Sequence, residues 1–262
     1  MNVVYAVLSS GSIGNSYVFT DGRATVMVDA GITMRQTLLR LQNINLTPDN
    51  IDAIFITHLH PDHVKTARKL ALEYNIPVYI NEYSLNNDHK AVEKYGLDEY
   101  WVHPIKSGVT LLLGDSFLIT PFDLYHDAPG TVGYTLKHRY SGKVFCIITD
   151  TGMVDETGID AVDSADVLFL EANYDDDMLD SGPYPKFLKD RIRSNYGHLS
   201  NNDATDILNA SIDNPRRKVY FIHVSENNNC ADAIEYALEE ISNMKYSSAY
   251  ILKRGEFFAD WI

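Results

Sequence analysis

Thr57-His58-Leu59-His60-Pro61-Asp62-His63 places three imidazoles and a carboxylate within six positions, in an H-x-H-x-D-H pattern. Imidazole and carboxylate together are a ligand set for Zn²⁺ and also suit Mn²⁺ or Fe. Residues two apart at the end of an extended strand point the same way, so His58 and His60 can share one cation. Asp62 and His63, at the turn into a helix, can reach a second cation close by. Such a constellation arises by chance in about one chain in a thousand, which sets a His-rich surface loop aside. Further along, PYPKFLKDRIR (183–193) carries Lys186, Lys189, Arg191 and Arg193 against Asp190, a local net of +3. A phosphate backbone needs a strip of this kind, and a solvated helix face can also look like this. The Gly/Ser loop SSGSIGNS (9–16) can cradle an anion on its N–H groups and hydroxyls, or simply turn a tight hairpin. It has no Walker-type lysine.

These side chains need elements to hold them. IDAIFIT (51–57) reads as a buried strand ending at Thr57, followed by helical patterning over 64–74 that stops before Pro77. Upstream, VVYAVL, SYVFT and ATVMVDA read as three strands separated by GSIGN and Asp21-Gly22. Thr33 is positioned to cap a helix with Met34, Leu38 and Leu41 on one face. A weaker helix over 83–95 closes at Gly96. In the second half VTLLL and SFLITPFDLY are strands joined at Gly114-Asp115, and TVGYTLKH and KVFCIITD form a hairpin around Ser141-Gly142. ADVLFLEA and KVYFIHV are strands, 184–196, 202–210 and 232–241 helices, and YILKRGEFFADW closes with alternating character. The pattern predicts two packed sheets with helices outside, one compact unit with a soft boundary near 104–108.

The histidine motif resembles that of the metallo-β-lactamase fold superfamily. The resemblance implies later ligands at strand ends, and His126 after FLITPFDLY, Asp150 after KVFCIIT and His223 at the end of KVYFIH match them in order. By that resemblance His58, His60 and His126 hold one metal, Asp62, His63 and His223 the other, and Asp150 bridges. Five of the nine histidines are then metal ligands. Two cations held roughly 3.5–4 Å apart lower the pKa of a bridging water and supply hydroxide as nucleophile, so no Ser or Cys nucleophile is required. Glu171 in LEANY and His198 in GHLSN resemble the Glu and His pair of phosphodiesterase members such as the tRNA 3′-processing nucleases. There the His, steered by the Glu, contacts the scissile phosphate and protonates the leaving oxygen. Ser200 and Asn201 also suit a helix start.

The segments SSGSIGNS, VDAGIT, THLHPDH, HDAPGTVGY, ITDTG, LEANYDDDML, SGPYPKFLKDRI, GHLSN and HVSENNN resemble the YycJ-like (WalJ or VicX) subgroup over roughly residues 3–240. This implies an α/β αββα sandwich, a single domain over 1–262 with pseudo-halves of about 1–105 and 106–262. It also implies a binuclear metal-dependent phosphodiesterase, a 5′-to-3′ exonuclease on double-stranded DNA, with Mn²⁺ often the active metal. Asp62, His198 and Glu171 are then the catalytic set, and Lys186, Arg191, Arg193, Ser200 and Asn227 contact substrate. Leu59 departs from a position often acidic in the family, without touching an expected ligand. Two other readings stand beside this one. A small-molecule hydrolase of the same fold would act on a cyclic phosphodiester, lactone or thioester, and a metal-binding adaptor would not turn over.

Composition sets the outer bounds. The 262 residues carry 22 Lys and Arg against 36 Asp and Glu, a net charge of −14, so DNA binding requires a local basic site or bound cations. At 45% hydrophobic and 22% charged, the chain is not disordered, collagenous or a coiled coil. No apolar run approaches the roughly 18 residues of a membrane span, and the N-terminus does not read as a signal peptide. Cys146 and Cys230, both in apolar contexts, fit a reducing cytoplasm and not a disulfide scaffold. Neither a membrane nor an obligatory protein partner is expected. His89, His103 and His138 read as surface or hydrogen-bonding histidines, the Asp175, Asp176, Asp177, Asp180 cluster as a solvated loop, and most of the 17 tyrosines as core.

Overall fold

A computed structural model describes residues 2–239, 241 and 245–262. The first sheet contains β1 (Val4–Ser9), β2 (Ser16–Thr20), β3 (Thr25–Val28), β4 (Ala53–Phe55), β5 (Val78–Asn81), β6 (Val102–Ile105) and the C-terminal β14 (Phe258–Trp261), in the order β14-β1-β2-β3-β4-β5-β6. The second contains β7 (Leu111–Leu113), β8 (Phe117–Asp123), β9 (Val132–His138), β10 (Val144–Ile148), β11 (Val167–Glu171), β12 (Lys218–Ile222) and β13 (Ser248–Ile251), in the reverse sense β13 through β7. Each sheet is mixed. Antiparallel hairpins β1–β2–β3 and β7–β8–β9–β10 give way to parallel pairs from β3 to β6 and from β10 to β13.

The alternation of the strands explains the layers. One face of each sheet, including Tyr5, Phe19, Phe55, Phe145, Phe169 and Tyr220, meets the other in a shared core, with Phe19 and Phe145 rings 5.1 Å apart. The opposite faces bury Val18, Met27, Ile54 and Ile80 under helices α1 (Met34–Gln42) and α3 (Ala67–Tyr74), and Cys146, Leu168, Leu170 and Phe221 under α6 (Glu156–Ser164), α9 (Asn201–Ala210) and α10 (Ala231–Leu238). The result is an αββα sandwich of two packed mixed sheets flanked by helices.

Several expected elements differ in extent. The helix expected over 64–74 is two pieces, α2 (Pro61–Val64) and α3, because Thr66 turns its N–H to Ala30 O and its hydroxyl to Ile32 O. That over 83–95 is α4 (Glu82–Asn87) and α5 (His89–Tyr95), split at Asp88, whose carboxylate caps Ala91 N–H. The Asp175–Asp180 cluster is not a loop: Asp175 caps the short helix α7 (Asp176–Ser181). The helix expected over 184–196 is shorter, α8 (Lys186–Ile192), with Pro185 as its N-cap. That over 232–241 is Ala231–Leu238, and position 240 lies outside the described residues. The closing segment divides between sheets, β13 with β12 and β14 with β1. Cys146 is buried on β10, whereas Cys230 is exposed before α10. His138 is buried and hydrogen-bonded to Ser141 and Asp21. Among the described residues no helix is long and apolar enough to cross a membrane.

Candidate metal centre

The C-terminal ends of β3, β4, β8, β10, β11 and β12 lead into one cleft. Three residues just past such ends, Asp29, Asp150 and His223, have left-handed backbone angles (φ 61°, 53° and 55°). That conformation costs of order 1–3 kcal/mol away from glycine, least for Asn, Asp and His. It turns the chain sharply at the strand end. The loops are also knitted to one another. Ala30 N–H bonds His63 O, Asn15 N–H bonds Asp62 O, and a Cβ at Gly31 would lie 1.6 Å from Asp62 O. Only glycine lets VDAGIT approach THLHPDH this closely.

Within the cleft, ligand atoms of His58, His60 and His126 lie within 4.8 Å of one another, and so do those of Asp62, His63 and His223. Asp150 stands between the two sets. Its Oδ2 is 3.1 Å from His63 Nε2, and its Oδ1 is 3.5 Å from His223 Nε2 and 4.0 Å from His126 Nε2. A further set joins Asp150, Glu171, His198 and His223.

The Nδ1 atoms of His58, His63, His126, His198 and His223 are occupied by the protein, which leaves Nε2 for the cleft. His63 Nδ1 donates to Asp29 Oδ2 at 2.7 Å, and Asp29 Oδ1 also accepts Thr57 N–H at 2.8 Å. His126 Nδ1 donates to Gly197 O at 2.9 Å. His198 and His223 both turn Nδ1 to Glu171 Oε1, each at 2.8 Å, while Glu171 Oε2 accepts the N–H groups of Thr151 and Leu199. Such outer partners fix the tautomer and orientation of a metal-binding imidazole. His58 Nε2 and His223 Nε2 are buried and have no hydrogen-bond partner. A buried unpartnered nitrogen is unfavourable unless something completes it. A cation beside each of them would satisfy it, so the donor set fits divalent metals.

Burial and the central carboxylates push the imidazoles in opposite directions. Burial opposes charge on Asp150, but His223 and His63 beside it hold its carboxyl well below the usual range. Burial, reinforced by His63, pushes His58 well down, towards the neutral form that binds a metal. Against burial, Asp150 and Glu171 push His223 up to about 9.

All seven residues expected to bind metal therefore meet at one place, with Glu171 and His198 beside them. The expected substrate residues are more scattered. Lys186 is exposed on α8. Arg191 lines the cleft and grips Asp127 Oδ2 through Nε and Nη2, each at 2.5 Å. Arg193 is folded back onto Asp180 and Asp176 of α7. Ser200 is buried in a capping box with Asp203, and the exposed Asn227 donates to Tyr184 Oη at 3.1 Å. Sequence reasoning missed Asp29, Asn15, Asn173 and Asp127. Asp127 Oδ1 lies 3.3 Å from His126 Nε2 and 3.6 Å from His60 Nε2, and Asn173 donates to His223 O. For Asp29 a signal existed, a lone carboxylate ending an apolar strand, VDA.

Residues 24–224 match the model of the Beta-lactamase superfamily domain. Exodeoxyribonuclease WalJ of Streptococcus pneumoniae serotype 2 (strain D39 / NCTC 7466) is 35% identical over 225 residues, 86% of this chain and 82% of that protein. Exodeoxyribonuclease YycJ of Bacillus anthracis is 30% identical over 246 residues, 94% of this chain and 91% of that protein. The crystal structure of the metallo-β-lactamase fold protein YhfI from Bacillus subtilis superposes with a TM-score of 0.71 over 99% of each chain at 17% identity, a likeness of fold.

Proposed function

The chain belongs to the metallo-β-lactamase superfamily, in the group of the exodeoxyribonucleases WalJ and YycJ, and on that premise we propose that it is a metal-dependent exonuclease digesting double-stranded DNA from the 5′ end. The observation that carries the reading is the convergence of two three-ligand sets about Asp150, with the Glu171–His198 pair at their side. His58, His60 and His126 would hold one divalent cation and Asp62, His63 and His223 the other, Zn or Mn, with Fe a further candidate, and the Asp150 carboxylate lies beside both sets. When bound, such cations polarise a phosphoryl oxygen and lower the pKa of water.

The chain's own groups do the rest. Asp29, Gly197 O and Glu171 hold the imidazoles of His63, His126 and His223 in register. Glu171 likewise orients His198, whose other nitrogen contacts the scissile phosphate and delivers a proton to the leaving oxygen. Lys186, Arg191 and Asn227 bind the backbone of the substrate. Arg193, paired at the surface with Asp176 and Asp180, and Ser200, buried in its capping box, steady α8 and α9. Both sheets contribute ligands, which supports one domain over 1–262. The two free thiols fit a cytoplasmic setting.

The test is digestion of end-labelled linear duplex in Mn²⁺, with EDTA and Asp62→Asn as controls. Stepwise loss from the 5′ end, abolished in both, is expected; intact DNA from metal-loaded protein would sink the reading. One observation favours a small-molecule hydrolase instead: Arg191 and Arg193 are tied to carboxylates, so the net −14 surface offers DNA little free positive charge. Salt separates the two. With DNA as substrate, Lys186→Ala lowers the slope of log affinity against log salt by about 1; a flat salt response supports the small substrate.

A further inference from the structure

A duplex substrate meets a geometric obstacle at this centre. His58, His63, Asp150 and His223 are at most 4% exposed. The cleft beside them, lined by Ser12, Tyr184, Arg191, His198 and Asn228 among others, has a volume of about 220 Å³. A phosphodiester reaches these buried side chains past the half-buried His60, Asp62 and His198. A strand freed from its partner reaches that depth more easily than a paired one, so opening of the terminal pair favours entry.

Helix α8 stands at the edge of this cleft. Leu188 and Ile192 face inward and pack with Tyr174, Leu179 and Tyr184 in a small apolar cluster separate from the main cores. That cluster fixes the helix independently of the sheets. Phe187 is not part of it: its side chain is 75% exposed. It sits one turn before Arg191 on the same side of the helix, and Arg191 lines the cleft. Exposed Lys186 precedes it, and Tyr196, 58% exposed, lies two residues before His198. A single exposed apolar side chain is ordinary on a protein surface. Phe187 is set apart by its place, on the helix whose Leu188, Arg191 and Ile192 line the cleft.

We infer that Phe187 is the strand-separating residue of this enzyme, its ring stacking on the base exposed when the terminal pair opens while the freed strand passes Arg191 into the cleft. Stacking on an aromatic face is indifferent to base identity, which suits a nuclease that must act on every end it meets. The inference rests on the duplex-DNA reading above.

Phe187→Ala and Phe187→Tyr are to be compared with the unaltered protein on a blunt duplex carrying 2-aminopurine in its terminal pair, and on the labelled strand alone. Thermal unfolding checks that the exposed ring can be removed without harm to the core. Expected for Phe187→Ala is digestion of the single strand within about twofold of normal and of the duplex about tenfold slower, with Phe187→Tyr restoring the duplex rate. In an Asp62→Asn background, where no hydrolysis is expected, the protein with Phe187 should change the 2-aminopurine fluorescence and the one with Phe187→Ala should not. Equal loss on both substrates, loss on neither, or a fluorescence response that survives Phe187→Ala overturns the inference and leaves the DNA reading standing. Unaltered protein inert towards both DNAs overturns that reading and this inference with it.

Discussion

Glu171 Oε1 accepts from two imidazoles, His198 and His223, 2.8 Å from each, and Oε2 accepts two backbone N–H groups. Every partner of this buried side chain is a donor, so an amide in its place must direct its own N–H₂ at a donor whichever way it turns. Glu171→Gln is isosteric yet mismatched. It should weaken metal binding about 10- to 100-fold, the usual effect of removing an outer partner of a ligating histidine. Competition with a zinc-sensitive dye measures this, and an unchanged affinity would show that Glu171 does not hold His223 for a cation. At this scale the H-x-H-x-D-H run was legible because its members are neighbours in sequence. Asp29 was marked only as a carboxylate ending an apolar strand; its contact with His63 spans 34 positions, which no local pattern shows.

At the level of elements, the turn between β2 and β3 fastens one sheet to the other. Asp21 Oδ1 accepts the N–H groups of Arg23 and Ala24 in its own turn, and Oδ2 reaches Ser116 at 2.7 Å and His138 Nε2 at 3.2 Å in the second sheet. Burial favours the neutral acid, but the turn amides, Ser116 and His138 outweigh it and bring the carboxyl down from 3.8 to about 2. A carboxyl with a depressed folded-state pKa stabilises the fold above its unfolded pKa, and that stability is lost as the pH falls towards the folded value. The protein should therefore unfold at a higher temperature than Asp21→Asn at neutral pH, with the gap closing between pH 3.8 and about 2. A gap that persists unchanged to pH 2 would rule out the ionised carboxylate as its source; calorimetry across that range decides. Elements were legible where periodicity was long. α6 escaped notice because Gly158 and three acidic residues interrupt its nine positions, and β6 because Pro104 lies in it, which an edge strand tolerates.

On the scale of the whole molecule, the candidate ligands tie the sheets together. His58, His60, Asp62 and His63 follow β4 of the first sheet, whereas His126, Asp150 and His223 follow β8, β10 and β12 of the second. A cation bound across that divide is present only in the folded state and stabilises it by mass action, about 4 kcal/mol at a thousandfold excess over Kd. For a chain of this size that raises Tm by roughly 8–16 °C. Differential scanning calorimetry of metal-loaded and EDTA-treated protein tests this. Identical Tm values, with metal content verified, would mean that the centre does not bridge the sheets.

Sequence alone determined the two-sheet architecture and the candidate donors of the H-x-H-x-D-H run, because each is written in local pattern: alternating apolar runs, a strand end, and histidines spaced to share a cation. The superfamily and the later candidate donors His126, Asp150 and His223 came from the resemblance of the motifs. Tertiary structure decided which charges are free. In sequence Lys186, Arg191 and Arg193 are one basic strip; in the fold Arg191 belongs to Asp127 and Arg193 to Asp176 and Asp180. It also decided that one carboxylate, Glu171, serves two histidines. Side-chain pairing across distant loops depends on where strands end in space and which way each chain turns there. The left-handed turns at Asp29, Asp150 and His223 leave no periodicity for a sequence to show.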